Sequence, residues 1–151
     1  MNLFFDTSAL IKYFHREEGT DTVIALIQEK THHIYILEIA RIEMLSAVFR
    51  RYRNHEISDA QLDVVLKGIE KELLQFTIEP IDTLVLQESL QLMEEFGKTY
   101  GLRTLDSLHL ASLNLIEENE FILVSSDHTL CKISEELGFT CINPSEDLSQ
   151  S

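Results

Sequence analysis

The stretch Leu3-Phe4-Phe5-Asp6-Thr7-Ser8-Ala9-Leu10 decides how this chain is read. An apolar run with strand character ends in an acid, and a helical pattern over residues 8–14 follows at once, so the chain opens strand then helix. The same handover recurs downstream. Residues 33–37 are β-branched and aromatic between polar neighbours and predict a second strand, followed by a long helix over 39–53. Phe76-Thr77-Ile78, residues 121–125 and residues 139–142 predict the remaining strands. Further helices are expected over 21–29, from a Ser58 N-cap to about Gln75, over 84–98 up to the Tyr100-Gly101 pair, from Thr104, and over 129–137 before Gly138. The Thr104 helix is apolar on most of its circumference and should be buried. Alternation of this kind gives an α/β fold, a three-layer α/β/α sandwich around a mostly parallel five-stranded sheet with right-handed crossovers. One domain over residues 1–144 is expected, with an acidic, polar tail over 145–151.

Composition narrows the functional classes. With 12 Lys and Arg against 26 Asp and Glu, the net charge is −14, which argues against a protein that holds nucleic acid by its overall field. Contact with a polynucleotide must then be local. Arg50, Arg51 and Arg53 form the densest positive run, with Lys12 and Arg16 near the first acid and Arg103 just before Asp106. A solvated helix end, where cations offset the dipole, is the competing account of the Arg50–Arg53 run. Cys131 and Cys141 have no second pair to complete a zinc set and are expected as core thiols. No leader pattern opens the chain and no run approaches a membrane span, so a reducing cytoplasm is expected.

Asp6 and Asp127 each close a strand, and Glu43 and Asp106 lie near the starts of helices. In a parallel sheet, strand C-termini and helix N-termini share one edge, so the four carboxylates are expected to converge. Converged acids take up protons or a cation, and hard oxygen ligands select Mg²⁺ or Mn²⁺.

These stretches resemble the motifs of PIN-domain proteins, most closely the VapC-type toxins of prokaryotic toxin–antitoxin pairs. Phe5-Asp6-Thr7-Ser8-Ala9-Leu10 is similar to the first motif, Ile42-Glu43-Met44-Leu45-Ser46-Ala47 to the second, residues 102–111 (LRTLDSLHLA) to the third, and Val124-Ser125-Ser126-Asp127 to the fourth. The resemblance spans essentially the whole chain. It implies an endoribonuclease, a cognate antitoxin as partner and a homodimer. One or two divalent ions held by Asp6, Asp106 and Asp127, with Glu43 directly or through water, would activate water for in-line attack and stabilise the leaving 3′-oxygen. Ser8 and Ser126 are expected to orient a ligand carboxylate or a bound water. The family often has a small hydroxyl residue shortly before the glutamate, where this chain has Ala40 and Arg41.

Each acid also has a structural account. Asp6 and Asp127 are N-cap types, Asp106 suits a helix dipole, and Glu43 could sit on the surface. Against this, Asp106 lies in an otherwise apolar helix, where an unpartnered carboxylate is costly. His109, one turn after Asp106, is expected as a packed or hydrogen-bonded core histidine rather than a metal ligand. His15 and His128 lie near the site in sequence with no chemistry assigned. The rival function is a catalytically silent PIN-fold module that binds RNA or protein. A haloacid-dehalogenase-type phosphotransferase needs a second Asp two residues after the first, where Ser8 stands. A receiver domain needs its Asp after the third strand in a phosphorylatable pocket, and Asp82 follows Pro80 in a turn.

Overall fold

The structure is a computed structural model that describes residues 1–117 and 120–146. Its elements follow the order β1 (Asn2–Phe5), α1 (Thr7–Phe14), α2 (Thr20–Gln28), β2 (His33–Leu37), α3 (Ile39–Arg53), α4 (Asp59–Leu73), β3 (Thr77–Glu79), α5 (Thr83–Tyr100), α6 (Thr104–Leu115), β4 (Phe121–Val124), α7 (His128–Glu136) and β5 (Thr140–Ile142). The strands form one sheet in the order β3-β2-β1-β4-β5. Every pairing in it is parallel.

Alternation within β1 sets the layers, because successive side chains point to opposite faces. Leu3 and Phe5 enter one core with α1, α2, α3 and α4, while Phe4 enters the other with α5, α6 and α7. All three residues are fully buried, which is why this strand reads as an unbroken apolar run. As expected, α6 is largely covered, with Ser107, His109, Leu110, Ala111, Ser112 and Leu113 buried.

Local chemistry fixes the helix starts. Ser58 and Gln61 form a reciprocal capping box on α4, and Asp82 accepts from the Val85 N–H on α5. Gly101 ends α5 in the left-handed region at φ 68°, and Leu102 and Arg103 then lead directly into α6.

The cysteine expectation is corrected. Cys131 on α7 and Cys141 on β5 form a disulfide, with Cα atoms 5.4 Å apart. The chain reverses after α7 through Gly138 (φ 95°), which lays β5 back beside the helix and brings together two thiols ten residues apart in sequence. Of the expected tail, Ser145 and Glu146 are described, and Ser145 N–H donates to Asn143 Oδ1. Residues 147–151 lie outside the described residues.

Candidate active site

The strand order reverses direction between β1 and β4, which is where doubly wound sheets open a crevice beyond their strand C-termini. Asp6 follows β1 and is 2% exposed. Its carboxylate is wrapped by hydroxyls: Ser8 Oγ donates to Oδ1 at 2.8 Å and to Oδ2 at 2.9 Å, and Ser125 Oγ donates to Oδ2 at 2.6 Å. The Ala9 N–H completes the shell at 3.0 Å from Oδ1, so Asp6 also caps α1. Burial pushes the Asp6 carboxyl up, against the opposing pull of the His109 charge and these hydrogen bonds.

Asp127 caps α7, accepting the Leu130 N–H at 2.8 Å. Asp106 is in the first turn of α6 with its side chain 24% exposed. Burial raises its pKa, and the negative charges of Asp127 and Asp6 raise it further. The three aspartates are therefore close enough to repel. Arg103, at the N-cap of α6, offsets part of that repulsion. Its Nε lies 3.5 Å from Asp106 Oδ2 and its terminal nitrogen 3.5 Å from Asp127 Oδ2, while the side chain stays 77% exposed.

Glu43 enters from α3 beside them. Its Oε1 accepts from Thr7 Oγ1 at 2.8 Å and from His109 Nε2 at 2.7 Å. Burial draws the Glu43 pKa upward, but the bonds to His109 and Thr7 outweigh it and leave the group below its ordinary value. Glu43 is thus half-buried and hydrogen-bonded, not a free surface residue. His109 is a core histidine bonded through Nε2, as expected, and it ties α6 to α1 and α3. Its Nδ1 is buried with no hydrogen-bond partner among the described residues.

One of the two expected supports differs. The Ser126 hydroxyl does not reach Asp6; its backbone N–H donates to Ser8 Oγ, and Ser125 supplies the hydroxyl instead. The register pairs Phe5 with Val124, so the next residues, Asp6 and Ser125, lie side by side on one face. Thr7 was not anticipated either, since a threonine in a first helical turn is commonplace. Among the expected polynucleotide contacts, Lys12 is corrected: it is 7% exposed, with Nζ 2.9 Å from Glu17 Oε1 and 2.9 Å from the Glu18 carbonyl. Lys12 sits in the last turn of α1, where the chain folds back over it. Arg16 is exposed and paired with Asp21, Arg51 is paired with Glu17, and Arg50 and Arg53 are exposed near the far end of α3.

Among the described residues, no three of His, Cys, Asp and Glu stand in an arrangement ready to hold a metal ion. The donor chemistry fits a hard divalent cation all the same. The negative charges of Asp127 and Asp6 raise the Asp106 pKa, and the Arg103 guanidinium already stands 3.5 Å from both Asp106 and Asp127.

No curated protein sequence matches the chain. Similar solved structures include FitAcB from Neisseria gonorrhoeae, at TM-score 0.67 and 16% identity over 94% of this chain and 97% of that one. VapBC2 from Rickettsia felis, bound to a promoter DNA fragment, gives 0.63 and 16% over 94% and 98%. A toxin–antitoxin complex from Klebsiella pneumoniae gives 0.62 and 19% over 96% and 99%. At these identities the likeness is one of fold. The PIN domain family model matches residues 3–136, a span holding β4, all but the first residue of β1 and all four acids, and on that match the chain belongs to the PIN domain family.

Proposed function

We propose that this chain, acting as one domain over residues 1–144, is a Mg²⁺- or Mn²⁺-dependent endoribonuclease and the toxin of a type II toxin–antitoxin pair. The observation that carries the reading is the Arg103 guanidinium 3.5 Å from both Asp106 and Asp127 beyond the ends of β1 and β4, with the negative charges of Asp127 and Asp6 raising the Asp106 pKa. Asp6, Asp106 and Asp127 would hold the metal, and Glu43 would complete the set. When bound, the ion supplies an activated water and charge neutralisation for phosphodiester hydrolysis. The chain's own part is positional. Ser8 and Ser125 fix the Asp6 carboxylate, Thr7 and His109 fix Glu43, and Arg103 must leave the carboxylates for an ion to enter. The similarity in fold to toxin–antitoxin complexes supports an antitoxin partner, whose arginine could take the place Arg103 holds here. Exposed Leu84, Leu86 and Leu90 on α5, and Val64 and Leu74 on or beside α4, offer surface for a homodimer or an amphipathic partner. Among the described residues no helix is long and apolar enough to cross a membrane, and the proposed place of action is the cytoplasm.

The test is RNA cleavage by purified protein with Mg²⁺ or Mn²⁺, stopped by EDTA and by Asp106→Asn. Cleavage indifferent to both would refute the metal mechanism. A second reading, a silent binding module, is favoured by one observation: Asp6 and Asp127 already serve as helix caps. Asp6→Asn and Asp127→Asn separate the two, because asparagine caps as well as aspartate but supplies less charge. Metal-free melting temperatures that hold or rise, with cleavage lost, support the nuclease.

A further inference from the structure

Two rows of side chains on α3 run away from the acids: Glu43, Ala47, Arg50 and Asn54 in one, Ile42, Ser46, Phe49 and Arg53 in the other. Spacings of three and four residues stack each row along one side of the helix. The first row starts at the Thr7–Glu43 bond and ends in an open cleft of about 520 Å³ between α1 and α3. Ile11 and His15 line it from α1, Ala47, Arg50 and Arg51 from α3, and Glu56 stands at its edge. Burial and the neighbouring Arg51 charge hold the His15 pKa below its ordinary value, so that wall is neutral and polar. Arg51 is committed to Glu17, whereas Arg50 and Arg53 are exposed and make no ion pair among the described residues. Beside Arg50 in sequence, Phe49 leaves 40% of its surface open.

An open aromatic ring next to unpaired guanidiniums, in a chain of net charge −14, has the chemistry of a single-strand site, where a base stacks on the ring and a phosphate meets the cation. A basic protein segment drawn to the acids would be repelled here. Resting on the nuclease reading above, we propose that this end of α3 is a subsite for single-stranded polynucleotide, with Arg50 in the cleft row taking a backbone phosphate and Phe49 in the adjacent row stacking a base. From Glu43 to Arg50 is about 10 Å along the helix, or about three nucleotides of a stacked strand at about 3.4 Å each. The subsite therefore sets where along the strand the acids act.

The experiment measures fluorescence anisotropy of a short labelled single-stranded RNA, and of its DNA counterpart, against the Asp106→Asn protein in EDTA over a salt series. Arg50→Gln in that background should weaken binding about fivefold and reduce the slope of log K against log salt by about 0.7, one phosphate contact. Phe49→Ala should weaken binding about fivefold or more with the slope unchanged. Lys98→Gln, on the other layer, should do neither, and RNA and DNA should respond alike. No measurable binding, equal behaviour of all three variants, or an effect only on association with a co-expressed protein partner overturns the subsite. Binding in EDTA is independent of cutting, so the two readings fail separately. Metal-dependent cleavage with binding unmoved by Arg50→Gln sinks the subsite alone, and the expected binding pattern in a protein that never cuts sinks the nuclease alone.

Discussion

Replacing Arg103 by Gln removes the cation that, among the described residues, bridges Asp106 and Asp127. Two charges 3.5 Å apart attract by about 1.2 kcal/mol in bulk water, and side-chain ordering and salt screening reduce an exposed pair to about 0.2–1 kcal/mol. With the Arg103 side chain 77% exposed, the lower estimate applies to each contact. The two together are worth about 0.5–1.5 kcal/mol, and a domain of this size loses about 2–4 °C in Tm per kcal/mol. In EDTA, Arg103→Gln should therefore melt about 1–6 °C lower than the wild type. In Mg²⁺ the sign reverses, because the same contact must break before an ion enters. Releasing about 1 kcal/mol of competition tightens metal binding about fivefold. Differential scanning fluorimetry across a Mg²⁺ series gives the first quantity and titration calorimetry the second. A variant that is as stable as the wild type without metal and binds the ion no more tightly would refute the idea that Arg103 holds the place of a cation.

The remaining expectations concern pH and single contacts. Asp6 and Asp106 have raised pKa values, so their contribution to stability is full below the ordinary carboxylate range and lost as pH rises through the raised values. Metal-free protein should accordingly gain in Tm as pH falls from neutral, until protonation of Glu43, whose lowered pKa stabilises the fold only above it, reverses the trend. Saturating Mg²⁺ should abolish the gain, and Tm curves with and without metal check this. Ser125→Ala removes the 2.6 Å donor to Asp6 and should cost about 10–100-fold in metal affinity or cleavage with the fold retained, as read by calorimetry and circular dichroism. Reduction of Cys131–Cys141 opens a loop of ten residues and should cost about 2–3 kcal/mol, a Tm loss of about 5–10 °C, to which a Cys131→Ser variant is insensitive.

The fold was legible because its signals are local. Leu3-Phe4-Phe5, the Ser58 cap and the Gly101 stop each encode their element within a few residues, and the observed boundaries fall within about two residues of those expected. The positions of Asp6 and Asp127 followed from strand ends for the same reason. What escaped depends on register and rotamer. Choosing Ser125 over Ser126 requires knowing that Phe5 lies opposite Val124, and neither strand alone carries that information. Lys12 reads as a surface cation until the α1–α2 turn brings Glu17 and the Glu18 carbonyl over it. The cysteines, ten residues apart on different kinds of element, met because of a reversal whose angle no composition rule fixes.

The bond from Ser125 to Asp6 joins residues 119 positions apart. In synthesis Asp6 is made well before Ser125, and its carboxylate has no partner from β4 until that strand has been made and has slotted in beside β1. At about 5–20 residues per second, the gap is between about 6 and 24 s of synthesis. Any cutting activity assembled at this crevice is therefore withheld from the growing polypeptide until β4 has been made and paired with β1.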